Sequence, residues 1–120
     1  MQEITKYSYT FSKDNAPAAK ASPGDVLLFK TKDCFCEQIT DESQHIGEID
    51  LSHANPATGP VYVEGAEAGD VLVVDIYDIQ VADQGISCTF NETGPLHDIT
   101  EPRTRIIPIK NGFAEFKEVS

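Results

Sequence analysis

At 120 residues the chain is long enough for one domain with a hydrophobic core and too short for two, and no apolar run approaches the roughly 20 residues needed to cross a bilayer. Nine basic against twenty acidic residues leave a net charge of −11, which repels phosphate backbones and anionic lipid and so excludes nucleic acid and membrane surfaces as partners. Three cysteines make an odd count, and no N-terminal stretch joins basic residues to an apolar run, so the chain reads as cytoplasmic with reduced thiols.

In chain order, residues 6–11 alternate polar and aromatic side chains with period two and are predicted as a half-buried strand. Residues 12–21, with Pro17 and several small side chains, read as a connection. Residues 26–29 and 71–74 are apolar on consecutive positions, the pattern of central strands covered on both faces. Residues 61–64, 86–90, 104–109 and 113–119 supply further strands, with Pro108 pointing to an edge position. Residues 91–102 are rich in turn formers and read as a flap or a connection. Asn111-Gly112 suits a type I′ turn, whose two central residues need positive φ, so the last two strands should be antiparallel. No long apolar period of 3.6 occurs, and helix content should be small.

One internal echo stands out. Gly24-Asp25-Val26-Leu27 and Gly69-Asp70-Val71-Leu72 each launch an apolar run that closes on an aspartate, Asp33 or Asp78. Turn chemistry alone produces Gly-Asp before apolar residues; the other reading is two similar β units packed together. The predicted fold is therefore one all-β domain over residues 1–120, a sandwich or a barrel.

Acids and histidines at strand ends or on stiff loops are the candidates for chemistry: Asp33, Glu37, His45, His53, Glu64, Asp78 and His97. Cys34-x-Cys36 with His45 or His53 is a weak zinc pattern, because structural zinc commonly uses cysteines two to four residues apart in a set of four ligands. Two prolines and a glycine in Asn55-Pro56-Ala57-Thr58-Gly59-Pro60 leave that backbone few conformations, which holds Asn55 and Thr58 in place.

The run NPATGPVYVEGAEAGDVLVVDIYDI, from Asn55 to Ile79, resembles the characteristic block of the acetamidase/formamidase family, metal-dependent hydrolases of short-chain amides. Ser22-Pro23-Gly24-Asp25-Val26, Asp33-Cys34-Phe35, Gln38-Ile39, Pro102-Arg103-Thr104 and Pro108-Ile109-Lys110-Asn111-Gly112 are similar to the family's N-terminal part as well. The resemblance implies a site to which Asp33 and Gln38 contribute catalytic groups, Asn55, Thr58 and Glu64 contact substrate, and Asp33 and His53 serve a divalent metal, zinc or calcium. Family members are much longer, and the glycine- and acid-rich, histidine-bearing segment associated with the metal lies beyond the last residue here. The expectation is thus part of an amidase acting on formamide or acetamide, either completed by a complementary C-terminal polypeptide or a truncated remnant or fragment, and associating as a homo-oligomer or with that polypeptide. The alternatives are a non-catalytic β binding or assembly module, and a small metal- or thiol-dependent protein using Cys34, Cys36 and His45.

Overall fold

Nine β-strands carry the regular structure in the computed structural model, which describes residues 1–116, and the helical turns among them are two 3₁₀ turns, Ile46–Glu48 and Leu51–His53. The all-β expectation holds. The described chain divides into two compact units, Met1–Glu37 with Asp50–Val74, and Gln38–Ile49 with the described residues from Asp75 onward.

The first unit is built from three short pairings. Strand β1 (Gln2–Ile4) runs parallel to β4 (Leu27–Phe29), with Ile4 opposite Phe29, and the Lys30 N–H extends the ladder to the Ile4 carbonyl at 2.9 Å. Strand β2 (Tyr7–Ser8) runs antiparallel to β5 (Ala57–Thr58), and β3 (Ala19–Ala21) runs parallel to β6 (Val61–Val63). Backbone bonds flank the β3–β6 pair on both sides, from Ala18 N–H to the Pro60 carbonyl at 2.7 Å and from Glu64 N–H to the Ala21 carbonyl at 2.8 Å. Ile4, 1% exposed, and Ala21 are its buried apolar side chains.

The sequence echo proves to be a repeated turn. Gly24 and Gly69 have φ of +91° and +99°, the left-handed third position that a type II turn requires. In the first turn Asp25 accepts from Ser22 N–H through its carboxylate at 2.8 Å and donates its own N–H to the Ser22 carbonyl at 3.0 Å. Asp70 makes the same two bonds with Glu67, at 2.9 and 3.1 Å. Each turn follows one member of the β3–β6 pair.

Several expectations change on this frame. The strand read over residues 6–11 stops after Ser8, because Asn15 Nδ2 and Ser8 Oγ both bond to the Thr10 carbonyl and fold the chain into a local turn. The connection over residues 12–21 contains β3. Residues 26–29 supply β4, yet Val26, Leu28 and Phe29 are exposed, so the strand is not covered on both faces. Residues 71–74 form no strand, and Val71 is 87% exposed.

The second unit is an antiparallel sheet in the order β7 (Gln84–Thr89), β8 (Arg103–Lys110), β9 (Phe113–Ala114). Asn111 and Gly112 have φ of +51° and +80° and close the β8–β9 hairpin in the conformation expected of Asn-Gly. Part of the strand read over residues 113–119 lies outside the described residues. Pro108 sits on the middle strand instead of an edge. Its carbonyl accepts from Glu115 N–H at 2.8 Å, so its missing N–H faces the side where pairing with the two-residue β9 ends, and little is lost.

Ile39, Ile46 and Ile107 are buried in this unit together with Thr104, whose hydroxyl donates to the Gln44 carbonyl. The Gln44 side chain in turn accepts from the N–H groups of Thr40 and Asp41 and donates to the Gln38 carbonyl, so one glutamine holds the loop in shape. Thr104→Val keeps the volume and removes the donor, which should cost about 1–2 kcal/mol by leaving a shielded carbonyl unpaired. Thr104→Ser should recover most of that loss, as read from urea midpoints.

Candidate functional site

The polar groups of the first unit converge where the loop after β4, the 3₁₀ turn at Leu51–His53 and the residues after β2 meet. Asp33 organises the loop. Its Oδ1 accepts from the N–H groups of Phe35 at 2.9 Å and Glu37 at 3.0 Å, and its carbonyl accepts from Cys36 N–H at 3.0 Å. These bonds hold Cys36 and Glu37 at φ of +53° and +61°, a left-handed pair that non-glycine residues occupy only when surroundings enforce it. Lys32 pairs with Glu37 and lies 5.8 Å over the Tyr7 ring; the hydrogen bond that its ammonium donates to the Glu37 carboxylate raises the Lys32 pKa.

Asn55 joins this loop to the next one. Its backbone N–H donates to the Cys34 carbonyl at 2.7 Å, and its φ of +53° is a conformation that asparagine tolerates better than most residues. The exposed side-chain amide takes no hydrogen bond among the described residues, so the loop is closed by main chain.

His53 is oriented from one side by Asp50, whose Oδ2 lies 2.7 Å from Nδ1, and from the other by Tyr9, whose ring meets the imidazole edge-on at 5.0 Å. Asp50 also accepts from the Ser52 hydroxyl at 2.6 Å and the Ser52 N–H at 2.9 Å, and the Ser52 bonds, hydroxyl first, hold its carboxyl below the usual range. The Tyr9 hydroxyl lies 3.3 Å from Cys36 Sγ, and that bond is the main cause of a phenol pKa pushed well above its ordinary value. Tyr7 packs edge-on against Tyr9 at 5.7 Å.

The remaining candidates lie elsewhere. Thr58 is half-buried in β5 opposite Tyr7, and Glu64, exposed at the end of β6, accepts from Ser22 Oγ at 3.1 Å. Gln38, half-buried, belongs to the second unit, as do His45, whose N–H donates to Glu48 at 2.6 Å, Asp78, which accepts from Gln80, and His97, held by Gly94 and Asp98. None of the three cysteines is in a disulfide among the described residues. Among the described residues no three His, Cys, Asp or Glu side chains stand together as metal ligands, so neither the Asp33 and His53 pair nor Cys34, Cys36 and His45 makes an ion site unaided. Tyr7, Tyr9 and Lys32 escaped the sequence reading; the aromatic alternation over residues 6–11 was the one signal for the two tyrosines, and it pointed to a strand face.

The acetamidase/formamidase family model matches residues 2–118. Over 68 residues the chain is 38% identical to an acetamidase of Mycolicibacterium smegmatis, and over 67 residues it is 37% identical to a formamidase of Methylophilus methylotrophus. Those alignments cover 55% and 54% of this chain but 17% and 16% of the relatives. The crystal structure of an acetamidase from Bacillus halodurans matches with a TM-score of 0.92 at 38% identity, over 96% of this chain and 40% of that one. A recombinant predicted acetamidase/formamidase from Thermoanaerobacter tengcongensis matches with a TM-score of 0.90 at 38% identity, over 98% of this chain and 40% of that one. The chain thus spans well under half the length of these solved structures.

Two measurements check the loop assignments. Asn55→Ala should cost about 1 kcal/mol, since alanine bears the left-handed penalty, whereas Asn55→Gly should be close to neutral, because the bond that closes the loop is main chain. A loss in the glycine variant equal to that in alanine would assign the effect to the side-chain amide. The lowered Asp50 carboxyl stabilises the fold above its unfolded value of about 4 and loses that contribution as pH falls through the lower folded value. Asp50→Asn should flatten the decline in stability as pH falls below about 4.

Proposed function

The chain belongs to the acetamidase/formamidase family, and on that premise we propose that it forms part of an amidase that hydrolyses short-chain amides, formamide and acetamide, to carboxylate and ammonia. The family match over residues 2–118 is the observation that carries this reading. Relatives named acetamidase and formamidase support the substrate class.

Amide hydrolysis needs an activated water, a group that polarises the carbonyl and an acid for the departing amine. Of the residues in the first unit, Asp33 is proposed to receive a substrate N–H on Oδ2, since both of its loop bonds fall on Oδ1. Tyr9, its phenol held protonated next to Cys36 and His53, is proposed as a neutral hydrogen-bond donor. Asn55, Thr58 and Glu64 remain proposed contributors to the wall, with Glu64 already committed in part to Ser22. An acidic surface of net charge −11 is indifferent to a neutral amide and repels the carboxylate product, which favours release.

The donor set of the described residues does not fit a divalent metal by itself. Zinc or calcium therefore belongs to the proposal only with ligands from further residues, and no step is assigned to the ion. The 40% share of the solved chains covered here supports placing most of the catalytic groups in the part of the family fold outside these 120 residues. A cytoplasmic setting is proposed from three cysteines that form no disulfide among the described residues. No helix among the described residues is long and apolar enough to cross a membrane.

Ammonia release from formamide and acetamide tests the reading. The purified chain should release none above the blank, and the chain co-expressed with the part of the Bacillus halodurans acetamidase that it does not cover should be active. Asp33→Asn keeps an acceptor for the loop and removes the charge, so kcat/KM in that pair should fall by about 10- to 100-fold with little change in stability. A pair inactive on both amides overturns the reading, and an active Asp33→Asn removes Asp33 from the site.

A further inference from the structure

The chain has four asparagines, and their surroundings set one of them apart. Asn15 is half-buried, and its Nδ2 donates to the Ser8 hydroxyl at 3.3 Å and the Thr10 carbonyl at 2.7 Å. Asn55 precedes Pro56, whose backbone nitrogen carries no hydrogen. Asn91 precedes Glu92, whose Cβ crowds its own backbone nitrogen. Asn111 precedes Gly112, and nothing lies within 4 Å of the point where a Cβ on Gly112 would stand. Both residues of that turn are exposed, and the Asn111 side-chain amide takes no hydrogen bond among the described residues.

We propose that Asn111 is a self-modifying site, at which the Gly112 nitrogen attacks the side-chain carbonyl and converts the asparagine to a mixture of isoaspartate and aspartate. The new bond joins the Gly112 nitrogen to Cγ of Asn111. The C–N bond of the side-chain amide breaks, and its nitrogen leaves as ammonia with the proton that Gly112 gives up. Water then opens the five-membered imide. Opening at the main-chain carbonyl leaves isoaspartate, with Cβ and Cγ now in the backbone; opening at the side-chain carbonyl leaves aspartate. The balance is one water taken up and one ammonia released.

The hairpin decides when this happens. The left-handed backbone of Asn111, at φ +51°, turns the Gly112 nitrogen away from Cγ, so the imide closes only after the residue leaves the turn. That step requires the release of β9 alone, which pairs through Ile109–Ala114 and Lys110–Phe113 and has both of its side chains exposed. So short a pairing opens far more often than the longer β7–β8 ladder. Isoaspartate makes the opening permanent, because the additional main-chain atom does not fit a two-residue turn that sets Lys110 opposite Phe113.

Peptide mapping by mass spectrometry, after incubation of the folded chain at mildly alkaline pH, tests the proposal. The peptide carrying Asn111 should gain the mass difference between acid and amide at least about tenfold faster than the peptide carrying Asn91, since Gly112 lacks the Cβ that Glu92 has. Ammonia should appear in step without any added amide and stop at a single equivalent, which separates it from turnover. In the isoaspartate fraction the NMR contacts between Lys110 and Phe113 should disappear while those between β7 and β8 remain. Asn111→Gly preserves the turn and should abolish both the mass gain and the ammonia. Equal rates at Asn111 and Asn91, conversion only where the entire chain is unfolded, or an intact hairpin in the isoaspartate fraction overturns the proposal.

Discussion

Everything in the first unit depends on the parallel pairing of β3 with β6, three residues against three. Parallel strands cannot be joined by a tight turn, so this pairing closes a long excursion of chain between residues 21 and 61, and the cost of closing it rises only slowly with length. Once made, it fixes where the Asp33 loop and the Leu51–His53 turn begin and end. The flanking bonds at Ala18 and Glu64 extend it, and the β2–β5 pairing sets Tyr7 opposite Thr58.

The site region is held by hydrogen bonds and ring contacts far more than by burial. Asp33, Cys34, Asp50, His53 and Asn55 are all exposed, and the order among them comes from carboxylates capping backbone N–H groups and from one main-chain bond between loops. Such an arrangement keeps its shape while staying open on one side. It also accounts for the left-handed pair at Cys36 and Glu37, since two N–H groups aimed at a single carboxylate oxygen demand a tight curl of the chain.

Features settled within a few residues of chain could be read from the sequence. Asn111-Gly112 specified its hairpin, and the two Gly-Asp pairs specified matching turns, because positive φ is a local demand that few side chains meet. Asp33 was open between a cap and a site residue, and the observed bonds to Phe35 and Glu37 give it the first role without removing the second. What the sequence could not disclose depends on distant partners. Residues 71–74 read as a covered strand because apolar runs signal burial, but they form no strand and all four side chains are exposed. Tyr9 gained its place beside His53 and Cys36 through pairings across some fifty positions, which no local pattern encodes.

The position of Tyr9 has a spectroscopic consequence. The chain has no tryptophan and four tyrosines, so its near-ultraviolet absorption and emission are tyrosine signals with nothing brighter to mask them. Two of the four, Tyr7 and Tyr9, stand ring against ring, and Tyr9 also meets His53 and lies within hydrogen-bond reach of the Cys36 thiol. Near-ultraviolet dichroism and phenol titration therefore report on the candidate site in the unlabelled protein. Tyr62 and Tyr77, both exposed, provide a solvent-like background.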